Sequence, residues 1–199
     1  MRRIVGVGGG SGSGKSTLAA AIVEALGPAG GVVLPFDAYY RERTEDELAN
    51  PDALDFDAPH ALDAALLADH LDAWRAGEAV AVPRYDFASH RRVGQVPLPS
   101  TRVLVVEGLH TLGVADVRGR LDLGVFVEAP ASLRLDRRIG RDVRERGRDE
   151  AEVRQRVASF VEPAYVRWIE PSRHHAHVVV DGTTDVREAV GRVLAALTR

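Results

Sequence analysis

An α/β fold, a parallel sheet flanked by helices, is the class this sequence predicts. Short apolar runs recur at Ile4 to Val7, Val32 to Leu34, Val103 to Val106, Leu123 to Val127 and Val178 to Val180. Each is too short for a helix and lacks polar alternation, as expected of strands buried on both faces. Between the runs lie helical patterns, and strands alternating with helices imply crossover connections. The first strand leads straight into a glycine-rich turn and then a helix.

The remaining elements follow in order. Thr17 to Leu26 is Ala- and Leu-rich and stops at Gly27-Pro28. Leu62, Leu66, Leu67, Leu71 and Trp74 recur at helical spacing, in a helix entered through Asp57-Ala58-Pro59 with Pro59 in its first turn. Arg41 to Phe56 is acidic, lacks periodicity and reads as the longest loop. Ala79 to Val96 reads as short strands or a hairpin, a small β flap projecting from the sheet. Leu135, Ile139 and Val143 form an apolar helical stripe, and Val186 to Leu197 closes the chain with another helix.

Composition bounds what this fold can do. The 199 residues predict one domain over 1–199, with the flap at 79–96 and a lid at 134–150. A net charge of −3 argues against a globally basic surface for nucleic acid or anionic membrane. No cysteine is present, so thiolate nucleophiles, disulfides and iron–sulfur ligation are excluded. No signal-peptide core or membrane-length apolar run occurs, and a cytoplasmic protein is expected. Of 26 basic residues, 25 are Arg, and the one lysine is Lys15.

That lysine sits in the clearest motif of the chain. Six of the nineteen glycines fall between Gly6 and Gly14, and Gly9-Gly10-Ser11-Gly12-Ser13-Gly14-Lys15-Ser16 matches G-x-x-x-x-G-K-[ST] at every fixed place, followed by Thr17. Glycines let successive backbone N–H groups turn inward around phosphate oxygens, and the helix that follows adds its positive dipole end. The Lys15 ammonium suits the β/γ-phosphates, and the Ser16 hydroxyl can reach Mg²⁺. The sheet is therefore expected to be of the P-loop NTPase type. A dinucleotide fingerprint fails at Ser11 and a hydrolase elbow at Ser13.

An Asn-Lys-x-Asp guanine-reading segment and a Ser-Gly-Gly-Gln transporter signature are both missing. A small kinase remains, its acceptor held opposite the phosphate loop. Asp37 follows the second strand and Glu107 ends the third, so both acids are expected at the carboxyl end of the sheet, where ligands of such sheets bind. Asp37 suits the base that deprotonates an attacking hydroxyl, and beside the metal it joins Glu107 and Ser16. Each acid could equally cap a helix or pair with an Arg. Between Leu133 and Asp149 stand seven Arg, of which Arg134, Arg137, Arg138 and Arg141 share one helix face roughly opposite the apolar stripe. Such a face either meets solvent, neutralised by Asp136, Asp142 and Glu145, or closes over a triphosphate as a lid; the second reading is preferred. The histidines of Arg173-His174-His175-Ala176-His177 read as surface residues rather than metal ligands.

Several separate blocks resemble the uridine (uridine-cytidine) kinase family of P-loop nucleoside kinases, from Ile4 to about Asp181. Asp37-Ala38-Tyr39-Tyr40-Arg41 is similar to D-S-[FY]-Y-R, and Asp55-Phe56-Asp57-Ala58-Pro59-His60-Ala61-Leu62-Asp63 to N-F-D-H-P-x-A-F-D. Pro83 to Arg91 is similar to P-x-Y-D-F-x-x-H-x-R, Glu107-Gly108 to the E-G after a buried strand, and Arg134 to Arg148 to R-L-x-R-R-x-x-R-D-x-x-E-R-G-R. The resemblance implies phosphorylation of a pyrimidine ribonucleoside at its 5′-hydroxyl, with ATP or GTP as donor, Mg²⁺ as cofactor and tetramers as a frequent assembly. It implies Asp37 as catalytic base, Ser16 and Glu107 at the metal, and Asp57 and Arg138 on the ribose hydroxyls. It further implies Tyr40, Tyr85, Phe87 and His90 around the pyrimidine with Arg148 nearby, and Arg141 and Arg146 on phosphate. The side chains suit this: Tyr85, Phe87 and His90 offer stacking faces and donors, and Asp57 can accept two hydroxyls. They would equally suit flap core, a surface histidine and a helix cap. Two positions depart from the family: Arg156 stands where it has Gln, and Ala176-His177 where it has Ala-Asp. Arg156 could meet a phosphate or carboxylate. Kinases of another small alcohol, such as phosphoribulokinase or pantothenate kinase, and a nucleotide-binding module without an acceptor reaction are the alternatives.

Overall fold

A computed structural model describes residues 2–27, 29–49 and 55–198, apart from the side chain of Arg146. In chain order the main elements are β1 (Arg3–Gly9), α1 (Lys15–Leu26), β2 (Gly31–Pro35), α2 (Glu45–Ala49), α3 (Ala64–Ala76), β3 (Ala81–Asp86), β4 (Arg91–Pro97), β5 (Val103–Glu107), α4 (Ala115–Arg118), β6 (Leu123–Glu128), α5 (Ala131–Arg146), α6 (Glu150–Arg156), α7 (Glu162–Ala164), β7 (Val178–Asp181) and α8 (Val186–Leu197). Five strands form one parallel sheet in the order β2-β5-β1-β6-β7. Every apolar run of the sequence lies in one of them, and the fold is the expected α/β architecture.

Two cores flank the sheet because successive side chains of a strand face opposite sides. Ile4, Leu34, Leu104 and Val106 pack with Leu67, Leu71 and Trp74 of α3. Val5, Val7, Val105, Val125 and Val127 pack with Leu18 and Ile22 of α1 and with Val190 and Val193 of α8. The register sets Val7 beside Glu107 and Pro35 beside Glu107, so the ends of β2 and β5 lie in one row with β1 just before its glycine loop. Chain order reverses about β1 and β5, the place where open sheets of this kind hold their ligands.

Three expectations are corrected, and a fourth, at Pro28, falls outside the described residues. α3 starts at Ala64 with Asp63 as its N-cap, whose carboxylate accepts from the Leu66 N–H at 3.1 Å; Pro59 heads a separate short turn, Pro59–Ala61. The loop at Arg41 to Phe56 contains α2, too short to show a period, while the rest of that stretch at 50–54 lies outside the described residues. Pro28, read as part of the first helix stop, also lies outside them; Gly27 is the C-cap. In α5 the apolar stripe is not the buried face: Val143 is exposed, Leu135 and Ile139 are half-buried, and Arg134, Arg138 and Asp142 are buried. The flap is a two-stranded antiparallel hairpin, β3 with β4. No described helix is long and apolar enough to cross a membrane.

Candidate active site

The glycine loop is wedged between the sheet and α5. Gly12 has φ +80°, a left-handed conformation, and a side chain there would run into the carbonyl of Arg134. Gly14 is also left-handed and caps α1. Gly9, Gly10 and Ser13 form the base of the loop; Ser13 is fully buried, and its N–H donates to the Gly10 carbonyl at 3.1 Å. From α5, Arg138 donates to Ser11 Oγ at 2.9 Å, and Arg137 donates to the carbonyls of Gly12 and Ser13 at 3.4 and 3.3 Å and of Gly182 at 3.0 Å. Arg134 forks onto both oxygens of Glu162 at 3.0 Å and lies 3.8 Å over the Tyr165 ring. These bonds explain why the arginine face is inward: loop carbonyls and Glu162 partner the guanidiniums, so charge pairing overrides the apolar period.

Asp142 is the buried counter-ion of the same helix. It is fully enclosed, with Arg141 at 2.7 Å, Arg138 at 3.6 Å and Arg148 at 3.8 Å. Of the three acids that could neutralise this face, Asp142 pairs with these three arginines, whereas Asp136 lines a cavity.

Two cavities open on the loop. One, about 560 Å³, is lined by Gly12, Gly14, Lys15, Ser16, Thr17 and the α5 residues Asp136, Arg137, Arg138, Gly140, Arg141 and Arg144. The other, about 510 Å³, lies under the flap and is lined by Ser11, Lys15, Asp37, Tyr40, Phe56, Asp57, Phe87, His90, Arg138, Arg141, Arg148 and Arg156, among others. Lys15, Arg138 and Arg141 belong to both. Burial pulls the Lys15 ammonium below its ordinary pKa, and Glu107 and Asp37 push it back up. Burial lifts the Glu107 carboxyl above the usual range against the opposing pull of Lys15, and Glu107 accepts from Ser16 Oγ at 3.0 Å. Burial likewise raises Asp57, chiefly opposed by Arg138.

Aromatic side chains line the flap end of the second cavity. Tyr40 lies 5.8 Å from Phe87 edge to face, and Phe56 stacks on His90 at 4.8 Å. Tyr85 stands behind them, 5.3 Å from Tyr40 and 5.2 Å from Phe87, so it supports the wall rather than forming it. The split arises where β3 ends: the Asp86 carboxylate accepts from the Ala88 and Ser89 N–H groups, the chain turns, and Phe87 leaves the strand half-exposed. His90, left-handed at φ 55°, completes that turn. Burial and then Arg43, Arg156 and Arg148 hold its imidazole below the ordinary pKa. Tyr40 donates its OH to the Phe56 carbonyl at 3.0 Å.

Of the residues expected at the site, the structure gathers Ser11, Gly12, Gly14, Lys15, Ser16, Thr17, Asp37, Tyr40, Asp57, Phe87, His90, Arg138, Arg141 and Arg148 on these two cavities, and joins Glu107 to Ser16. The side chain of Arg146 lies outside the described residues. Phe56, Glu152, Leu109 and the buried residues Arg43 and His110 carry no signal in the sequence. Phe56 stood inside the Asp55–Asp63 block and His110 three places after Glu107, where a single aromatic or histidine gives no periodic signal.

Fold, loop and paired cavities define a P-loop kinase, an enzyme that moves a phosphoryl group from a triphosphate to a second ligand. The profile of the Phosphoribulokinase / Uridine kinase family matches residues 4–188, and the chain belongs to that family. It is 38% identical over 179 residues to the uridine kinase of Deinococcus deserti, covering 89% of this chain and 86% of that one. It is 36% identical over 177 residues to the uridine kinase of Halobacterium salinarum, covering 88% and 78%. Among solved structures, phosphoribulokinase from Rhodobacter spheroides superposes with a TM-score of 0.65 at 21% identity, over 92% of this chain and 73% of the other, a likeness of fold.

Proposed function

We propose that this chain transfers the γ-phosphate of ATP or GTP to the 5′-hydroxyl of a pyrimidine ribonucleoside, giving the 5′-monophosphate. The observation that carries this reading is the pair of cavities sharing Lys15, Arg138 and Arg141, with Asp37 on the flap side of the junction. The names of the curated relatives support the acceptor class.

In this reading the triphosphate tail lies along Gly12, Gly14 and Thr17, its terminal phosphates against the Lys15 ammonium and the Arg141 guanidinium. The nucleoside enters beneath the flap. Tyr40, Phe56, Phe87 and His90 enclose its base, while Asp57 and Arg138 take the ribose hydroxyls. Asp37 accepts the proton of the 5′-hydroxyl as its oxygen bonds to the γ-phosphorus and the bond to the β-phosphate oxygen breaks, releasing the nucleoside diphosphate. Lys15 and Arg141 face the charge that spreads over the transferred oxygens.

Ser16 and Glu107 supply two hard oxygens 3.0 Å apart at the phosphate end, a donor set that fits Mg²⁺ completed by phosphate and water. Mg²⁺, when bound, would neutralise the developing charge between the β- and γ-phosphates. One observation favours a second acceptor class: Arg148 and Arg156 both line the flap cavity, which suits a small alcohol carrying phosphate or carboxylate.

Coupled ADP release over a panel of uridine, cytidine, ribulose 5-phosphate, glycerate and pantothenate tests both readings. Saturable turnover with uridine or cytidine at the highest kcat/KM is expected. A higher kcat/KM for an anionic alcohol would replace the first reading by the second.

A further inference from the structure

His110 takes no part in the reaction proposed above, yet it is buried to 1% exposure and bound to the site. It follows β5 in a turn that is tied down at every step. Gly108 N–H donates to the Val7 carbonyl at 3.1 Å, Thr111 Oγ1 to the Gly108 carbonyl at 3.1 Å, and the N–H groups of Gly113 and Val114 to the His110 carbonyl at 3.1 and 3.0 Å. The imidazole therefore stands at a fixed height above the sheet. Its Nε2 lies 2.7 Å from the backbone carbonyl of Asp57. A carbonyl only accepts, so Nε2 carries the hydrogen and Nδ1 is the bare nitrogen. Nδ1 is buried and has no hydrogen-bond partner among the described residues, so the bond from Nε2 is what orients the ring. Burial holds the imidazole below its ordinary pKa, which keeps it neutral near pH 7.

The far side of that bond needs an anchor. Asp57 is in irregular chain, and its own N–H donates only locally, to Asp55 Oδ1 at 3.0 Å. The preceding carbonyl, of Phe56, accepts from Tyr40. Two successive carbonyls are thus held by two buried side chains, and Asp57 lines the cavity under the flap.

We infer that His110 is the positioning residue for Asp57, setting where that carboxylate meets the acceptor. The inference rests on Asp57 as an acceptor ligand. A pair of amide substitutions isolates the bond. Glutamine places its amide nitrogen where Nε2 stands; asparagine is one methylene shorter and falls short of the Asp57 carbonyl. Leaving a buried carbonyl without its donor costs enough that His110→Asn raises the acceptor KM about 10-fold, with the KM for ATP and the kcat changing less than about 2-fold. His110→Gln restores the acceptor KM to within about 3-fold of the parent, whereas His110→Met, which fills similar space without a donor, does not. An unchanged acceptor KM in His110→Asn, an equal rise in both KM values, or a His110→Gln no better than His110→Asn would overturn the inference. Asp57→Asn, assayed beside them, separates the two levels of argument. If it raises the acceptor KM while His110→Asn does not, the inference fails alone; if it leaves that KM unchanged, the role given to Asp57 fails and the inference with it.

Discussion

The two cavities that meet at Lys15 are walled by different kinds of structure. On the side proposed for the donor the walls are main chain and two helices: glycines in left-handed conformations, loop carbonyls, the first turn of α1, and α5 arginines, among which Arg138 pairs with Ser11 and Arg141 with Asp142. On the side proposed for the acceptor, beyond the shared Lys15, Arg138 and Arg141, they are largely side chains from separate segments, among them Asp37 and Tyr40 after β2, Phe56 and Asp57 before α3, Phe87 and His90 on the flap, and Arg148 and Arg156 beyond α5. A triphosphate tail is the same in every nucleotide, so main-chain amides suffice to hold it. An acceptor must be told from other alcohols, and only side chains can do that. In the proposed reading the donor half therefore defines the enzyme class and the acceptor half its substrate.

The largest effect expected is at the seam between the halves. Asp37→Asn keeps the shape of the site and removes the proton acceptor, so kcat falls by about 10²–10⁴. The Kd for ATP, measured by calorimetry, stays within about 2-fold, because the donor walls are untouched. Turnover at the parent rate would remove Asp37 from the chemistry and with it the idea that the two halves meet there.

Next comes Gly12→Ala, which tests the donor half as a rigid unit. The methyl group meets a positive φ and the Arg134 carbonyl together. A strain of about 1–3 kcal/mol is expected as lower thermal stability, along with weaker ATP binding. A variant as stable as the parent would show that the loop and α5 are not locked together.

How much of this could be read from the sequence differs between the halves for the same reason. The glycine loop and the strands are backbone features with a fixed spacing, and each apolar run named a strand. α5 was legible as a helix but not in its orientation, because periodicity counts apolar residues, and here Arg138 and Asp142 are buried against each other and Arg134 against Glu162. On the acceptor side, resemblance placed Asp57, Phe87 and His90 together, whereas Tyr85 and Phe87 looked alike until the turn at Asp86 separated them. His110 and Arg43 left no pattern at all; their places depend on which loops pack against the sheet.

Phe87→Ala tests the acceptor half by itself. The ring is half-exposed at the cavity mouth and meets Tyr40 and Tyr85 edge to face. Losing one stacking face raises the acceptor KM about 10-fold in the coupled assay, with the ATP KM unmoved. A change in both constants would mean that the flap also shapes the donor side.

The smallest effect falls on selectivity, at Arg156. Its guanidinium lies 5.8 Å from the Phe56 ring and 5.5 Å from the Phe160 ring, and it joins Arg148 on the acceptor wall. Its charge opposes the burial-driven rise of the Asp57 pKa, so it reaches the carboxylate assigned to the ribose. Arg156→Gln keeps a polar donor and removes one positive charge. A single charge at this range in a partly solvated cavity is worth about 1 kcal/mol, or about 5-fold in an equilibrium constant. The ratio of kcat/KM for uridine over ribulose 5-phosphate should rise by about that factor, with the ATP KM constant, because a neutral acceptor loses little and an anionic one loses an attraction. An unchanged ratio would mean that Arg156 serves only to balance Asp57 and the aromatic wall, leaving the choice of acceptor to the flap.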